Sequence, residues 1–179
     1  MIRRLRNLAR AFLVRDEGTA SVEFVLCVPV VMFIFMASFE SGLAMVRSIL
    51  LERSVDMVMR ELRLGHYEAP VTNQFLKEQI CGHEMMMTNC VKQMKIDMQA
   101  ISRTTWTMPT GQAACIDRTT DEIDPVVQMT IGQQNVIMLV RVCVIQDAIF
   151  PTTGIGRRLQ VDGSGYRVTS ISSFVNEPG

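Results

Sequence analysis

The sequence predicts an α+β protein: a long N-terminal transmembrane helix followed by a small disulfide-bonded domain built on an antiparallel sheet. Three observations carry this. Phe24 to Phe39 is a run of 16 residues without a charge. A helical stripe continues beyond it, with Leu51, Val55, Val58 and Leu62 spaced by four, three and four residues. After residue 90 the period changes to that of strands, and four of the five cysteines lie beyond residue 80.

Residues 1–18 form a basic leader, with Arg3, Arg4, Arg6, Arg10 and Arg15 against Asp16 and Glu17. By the positive-inside rule this leader stays in the cytoplasm and residues beyond about 47 face the other side. The uncharged run is shorter than the ~20 residues a bilayer core needs. Counted from Thr19 to Val46 the segment has 28 residues, interrupted only by Glu23 and Glu40. These two carboxylates lie about 25 Å apart along a helix, so each can reach an interfacial region. An intramembrane carboxylate costs roughly 2.5–3.5 kcal/mol at the bilayer centre and less near an edge. Glu23 therefore either marks the boundary or needs a partner, and its spacing from Gly18 favours a partner. Pro29 removes the bond to the Val25 carbonyl and should loosen or kink the helix there. Residues 47–65 extend the helix beyond the membrane; Arg60 and Arg63 suit its C-terminal dipole and Gly65 its C-cap, so the expected helix is Thr19–Leu64.

Residues 66–179 make the soluble domain. Asn73 is a candidate cap for a short helix through Ile80. Lys92 to Ser102 alternates, with Met94, Ile96, Met98 and Ala100 on one face and Lys95, Asp97 and Gln99 on the other, as in a half-buried strand. Asn135 to Ile145 is nearly all apolar and reads as a central strand. Asp162-Gly163-Ser164-Gly165 is a turn before a third strand, Tyr166 to Val175. Segments 103–130 and 147–161, rich in Pro and Gly, read as connections.

Cys27 lies in the apolar helix and reads as a small hydrophobe. Cys81, Cys90, Cys115 and Cys143 fall on the exoplasmic side, where disulfides persist, and allow three pairings. The preferred set is Cys81–Cys90, clipping the short helix to the first strand, and Cys115–Cys143, tying a long connection to the central strand. Loop entropy assigns about 2.7 and 3.6 kcal/mol to these closures.

Eighteen basic residues balance 18 acidic ones, so the composition carries no footprint for nucleic acid. Cys81, His83 and Cys90 match no closed four-ligand zinc pattern, and only His66 remains as another histidine. Cys81 and His83 are not read as a nucleophile–base pair. Gly154-Ile155-Gly156-Arg157-Arg158 lacks a P-loop lysine and reads as a solvated turn. The 14 methionines suit adaptable core or interface packing. No catalytic residue, metal or cofactor is expected, and the protein is not read as an enzyme.

The run Gly18-Thr19-Ala20-Ser21-Val22-Glu23-Phe24 resembles the processing site of type IV prepilins. A secretory signal is cut after its apolar region, whereas a cut after Gly18 leaves the apolar helix on the mature chain, with Thr19 first and Glu23 fifth. The Glu23-Phe24 pair resembles the tight-adherence (Tad, or Flp) branch. The order of elements, with Val140-Arg141-Val142 and a final Phe174-Val175-Asn176-Glu177-Pro178, resembles the TadE-like family of minor pseudopilins. In place of the aromatic residues that often follow the Arg-Val pair, this chain has Cys143 and Val144. The resemblance implies a structural subunit, matured by prepilin peptidase, for assembly or tip formation of a Tad pilus. Its implied partners are the major pilin, other minor pseudopilins and the assembly platform. It implies a bacterial inner-membrane location, single pass, with the C-terminal domain periplasmic until it joins an extracellular pilus. The alternative is a single-pass membrane or secreted protein with an exoplasmic binding domain, released after Gly42-Leu43-Ala44.

Overall fold

The computed structural model describes residues 19–67, 70–83, 86–111, 113–116, 118, 135–152, 154–161 and 165–175. The leader with Gly18, Asp162-Gly163-Ser164 of the expected turn and Asn176-Glu177-Pro178 lie outside the described residues.

Helix α1 spans Thr19–Arg63 and runs through Pro29. Its end is set by Gly65, whose φ of +68° suits a residue without Cβ. The Gly65 N–H donates to the Leu62 carbonyl and the His66 N–H to the Glu61 carbonyl, each at 3.2 Å. This is the paired Schellman closure, which satisfies two terminal carbonyls. Helix α2 spans Asn73–Gly82, two residues longer than expected. Its cap is Thr72 rather than Asn73: extended Thr72 accepts from the Phe75 N–H through Oγ1 at 3.1 Å. Asn73, freed from capping, donates its side-chain amide to the Ile96 carbonyl at 3.3 Å and ties α2 to the sheet.

A four-residue helix, α3 (Cys90–Gln93), occupies the expected start of the first strand. Left-handed Asn89 (φ 52°) turns the chain there, and its carbonyl accepts from the N–H groups of Lys92 and Gln93. The strands are β1 (Met94–Ile101), β2 (Ile137–Asp147) and β3 (Gly165–Val175), all antiparallel in the order β1-β2-β3. Between β2 and β3 the expected connection contains a further short helix, α4 (Gly154–Leu159).

Helices α1 and α2 cover one face of the sheet. Leu51, Val55, Val58, Leu76 and Ile80 pack there against Met94, Ile96, Met98, Val140, Val142, Val144 and Val168, all essentially buried. The α1 stripe and the apolar face of β1 thus do what their periods predict. The other face of β1 departs from expectation, since Lys95 and Asp97 are also buried. Asp97 lies opposite Arg141 in the ladder and accepts from its Nε at 3.0 Å and from its Nη2. Gln99 donates to the same carboxylate at 3.0 Å. A buried charge with a partner and hydrogen bonds can be held where a bare one could not, which alternation alone does not reveal.

Candidate assembly helix and its anchors

Among the described residues, the part of α1 before Phe33 is left largely uncovered by its own chain. Phe24 is 68% exposed and Leu26 69%. Among the described residues one helix, Ala20–Arg63, is long and apolar enough to cross a membrane; its most apolar 18-residue window has a mean hydropathy of 2.4 and no buried residue. Isolated apolar side chains on a surface mean little, but a continuous patch of this size marks a contact with lipid or protein. Glu23 is exposed at the head of this stretch. No hydrogen bond or ion pair of its carboxylate occurs among the described residues. Thr19 is the first residue of the helix, one turn before Glu23, a spacing that makes the two neighbours on the helix surface. Cys27 is a free, exposed cysteine.

Farther along, the same helix holds the domain through two buried charged side chains. Glu40 is 1% exposed. Its carboxylate accepts from the Ile149 N–H at 3.0 and 3.3 Å and from the Phe150 N–H at 3.0 Å. Phe39 packs edge-to-face on Phe150, with ring centroids 6.3 Å apart. Two helical turns on, buried Arg47 donates from Nη1 to the Asp147 carbonyl at 3.0 Å and to the Tyr166 hydroxyl at 2.7 Å. Its guanidinium carbon lies 5.8 Å from the centre of the Tyr166 ring. Glu40, expected at a membrane boundary, is also an acceptor for the turn that leaves β2. Tracing the Leu51 stripe backwards by four and then seven residues reaches Arg47 and Glu40, and that was the available signal. Their polarity masked it.

Disulfides join Cys81 to Cys90 and Cys115 to Cys143. The first closes the segment between α2 and α3, and fully buried Gln146 reinforces it. The Gln146 amide accepts from the Thr88 N–H and donates to the Thr88 carbonyl, both at 3.2 Å, as a neighbouring strand would. The second anchors Cys115 to β2 beside Ala113 and Ile145, on the sheet face away from α1. Outside the core, partial burial and the nearby Glu61 carboxylate raise the Tyr67 phenol above its ordinary pKa. Among the described residues no group of three or more His, Cys, Asp or Glu side chains is placed to hold a metal ion.

Residues 18–60 match the family model described as TadE-like protein. Over this segment the chain is similar to TadE-like proteins. The matched segment begins at Gly18, includes Glu23, Phe24, Glu40 and Arg47, and ends within the last turns of α1. No curated protein and no solved structure matches the chain.

Proposed function

We propose that this protein is a minor pseudopilin, a structural subunit for assembly or tip formation of a Tad pilus. The observation that carries the reading is a helix whose first half is apolar and, among the described residues, largely uncovered, headed by Glu23, which has no hydrogen-bond or ion-pair partner among those residues, five residues after Gly18. In this reading prepilin peptidase removes residues 1–18. Residues 19–46 span the inner membrane, 47–65 extend the helix into the periplasm, and 66–179 form the pseudopilin domain.

Cleavage converts the amide of Thr19 into an ammonium near the bilayer edge. Neither that charge nor the Glu23 carboxylate is well solvated in an apolar setting, so pairing within the subunit or with a neighbour favours docking of helix on helix. Phe24 adds an apolar contact beside that pair. The partners are then the peptidase, the major pilin, other pseudopilins and the assembly platform. Release by signal peptidase after Ala44 is disfavoured, because that cut would separate Glu40 from Arg47 inside one helix and detach the lower anchor of the domain.

N-terminal sequencing of the mature protein tests the reading: Thr19 supports it, whereas Met1 or a residue near Met45 refutes it. Gly18→Trp should accumulate a precursor 18 residues longer. Glu23→Gln should be cleaved normally yet fail to join the pilus; wild-type piliation by that variant would reduce Glu23 to a boundary marker.

A further inference from the structure

The segment between β2 and β3 forms a foot that returns along α1 toward its N-terminus. Its upper end is fixed by the bonds from Ile149 and Phe150 to Glu40. Its lower end reaches Phe33, where a Cβ on Gly154 would lie 3.0 Å from the ring. A Cβ on Gly156 would lie 2.3 Å from the Phe150 carbonyl oxygen, so this fold-back requires glycine. Gln160 donates to the Pro151 carbonyl at 2.6 Å and closes the loop. The Gly-Ile-Gly-Arg-Arg run, which read as a solvated turn, is thus the part of the domain packed closest to the apolar helix.

The outer surface of the foot does not suit water. Ile149 is 49% exposed, and Ile155 and Leu159, one turn apart in α4, are 37% exposed each. Arg157 and Arg158 beside them are exposed. The dimensions decide what covers this surface. Thr19 to Met32, the part of α1 before the foot, spans about 21 Å, whereas a hydrocarbon core is about 30 Å thick. The foot covers Phe33 to Glu40, about 10 Å of the helix axis. The missing thickness therefore falls at the level of the foot.

We propose that the foot is immersed in the leaflet on the domain's side. Ile149, Ile155 and Leu159 lie in its acyl region, and Arg157 and Arg158 reach up to anionic phospholipid headgroups. This rests on reading α1 as a membrane span. The required depth matches the roughly 5–10 Å at which interfacial helices sit, and arginine stems can lie along apolar surface while the guanidinium stays polar. Glu40 then meets two backbone amides at the leaflet boundary instead of bare lipid.

The chain has one tryptophan, Trp106, beyond Ile101 at the opposite end of the sheet from the foot. Eleven-residue β2 separates those ends by about 35 Å. The test uses the full chain in vesicles of phosphatidylcholine and phosphatidylglycerol, with brominated lipids as quenchers. Three proteins are compared: the parent, Ile155→Trp with Trp106→Phe, and Leu26→Trp with Trp106→Phe. Expected results are no quenching at position 106, strong quenching at 155 with bromines near the headgroup, and quenching at 26 by deeper bromines. Quenching at 26 but not at 155 overturns the immersed foot and leaves the membrane span standing. No quenching at either position overturns both. Shielding of 155 from aqueous iodide without quenching by bromolipid means a protein cover, such as a second copy, and rejects lipid. Leu159→Trp with Trp106→Phe repeats the measurement should the Ile155 variant fold poorly. Replacing Arg157 and Arg158 by Glu should lower quenching at 155 several-fold in anionic vesicles; unchanged quenching rejects the headgroup contact.

Discussion

One helix serves two different solvents. From Thr19 to Phe39 the apolar side chains of α1 face outward around most of the helix, while from Glu40 to Arg63 a single stripe is buried against the chain's own sheet. The composition does not change as sharply as the role. Phe24, Leu26 and Ile34 are no more apolar than Leu51, Val55 and Val58. What differs is the arrangement: from Leu51 on, charges at Glu52, Arg53, Asp56 and Arg60 leave most apolar residues on one face, whereas the first half has almost no polar face. A narrow stripe selects an intramolecular partner, and an apolar surface all round selects lipid or a bundle of like helices.

The sharpest way to break this comparison is to delete the same group from each half. Leu51→Ala opens a cavity in the core and should destabilise the domain by about 2–5 kcal/mol. Leu26→Ala, at an exposed site, should leave the domain's denaturation midpoint in detergent unchanged. Equal losses would mean that the N-terminal half also belongs to the folded core.

A smaller effect separates the two carboxylates. Glu40→Ala leaves the Ile149 and Phe150 N–H groups without their acceptor, at a cost of about 1–3 kcal/mol. Glu23→Gln should not move the thermal midpoint of the domain, because its carboxylate touches nothing in the described part of the chain. A drop for Glu23→Gln that matches Glu40→Ala would abolish the distinction between an anchor within the subunit and a contact reserved for another.

The least change is expected at the exposed edge of the buried half. Asp56 accepts from the Ser172 hydroxyl at 3.2 Å in an exposed position. Asp56→Asn should shift stability by about 0.5 kcal/mol or less. A larger loss in an equilibrium unfolding series would show that the contact between α1 and β3 depends on its polar rim as well as on its core.

Legibility in the sequence follows the same division. The stripe from Leu51 to Leu62, the closure at Gly65 and the apolar positions Met94, Ile96 and Met98 of β1 are local patterns, and each has its counterpart in the fold. The roles of Glu40, Arg47, Asp97 and Gln146 depend on partners about 45 to 120 positions away in the chain, so no local pattern declares them. The cap of α2 lies one residue before the expected Asn73: Thr72 and Asn73 both suit the position, and the bond from Asn73 to β1 decides between them. At the candidate site, the sequence singles out Glu23 by its spacing to Gly18 but gives no sign of the foot. Gly154 and Gly156 are needed for close approach to Phe33 and Phe150, and a sequence containing glycines and arginines looks the same whether it is a solvated turn or a packed one.

Glu40 and Arg47 lie on one stripe of α1, about 10 Å apart along its axis, with no flexible joint between them. A force applied along the helix loads both anchors together, in shear. A force applied across it opens the nearer anchor first and peels the domain away. The protein is consequently mechanically anisotropic, firmest along the direction in which its helix points.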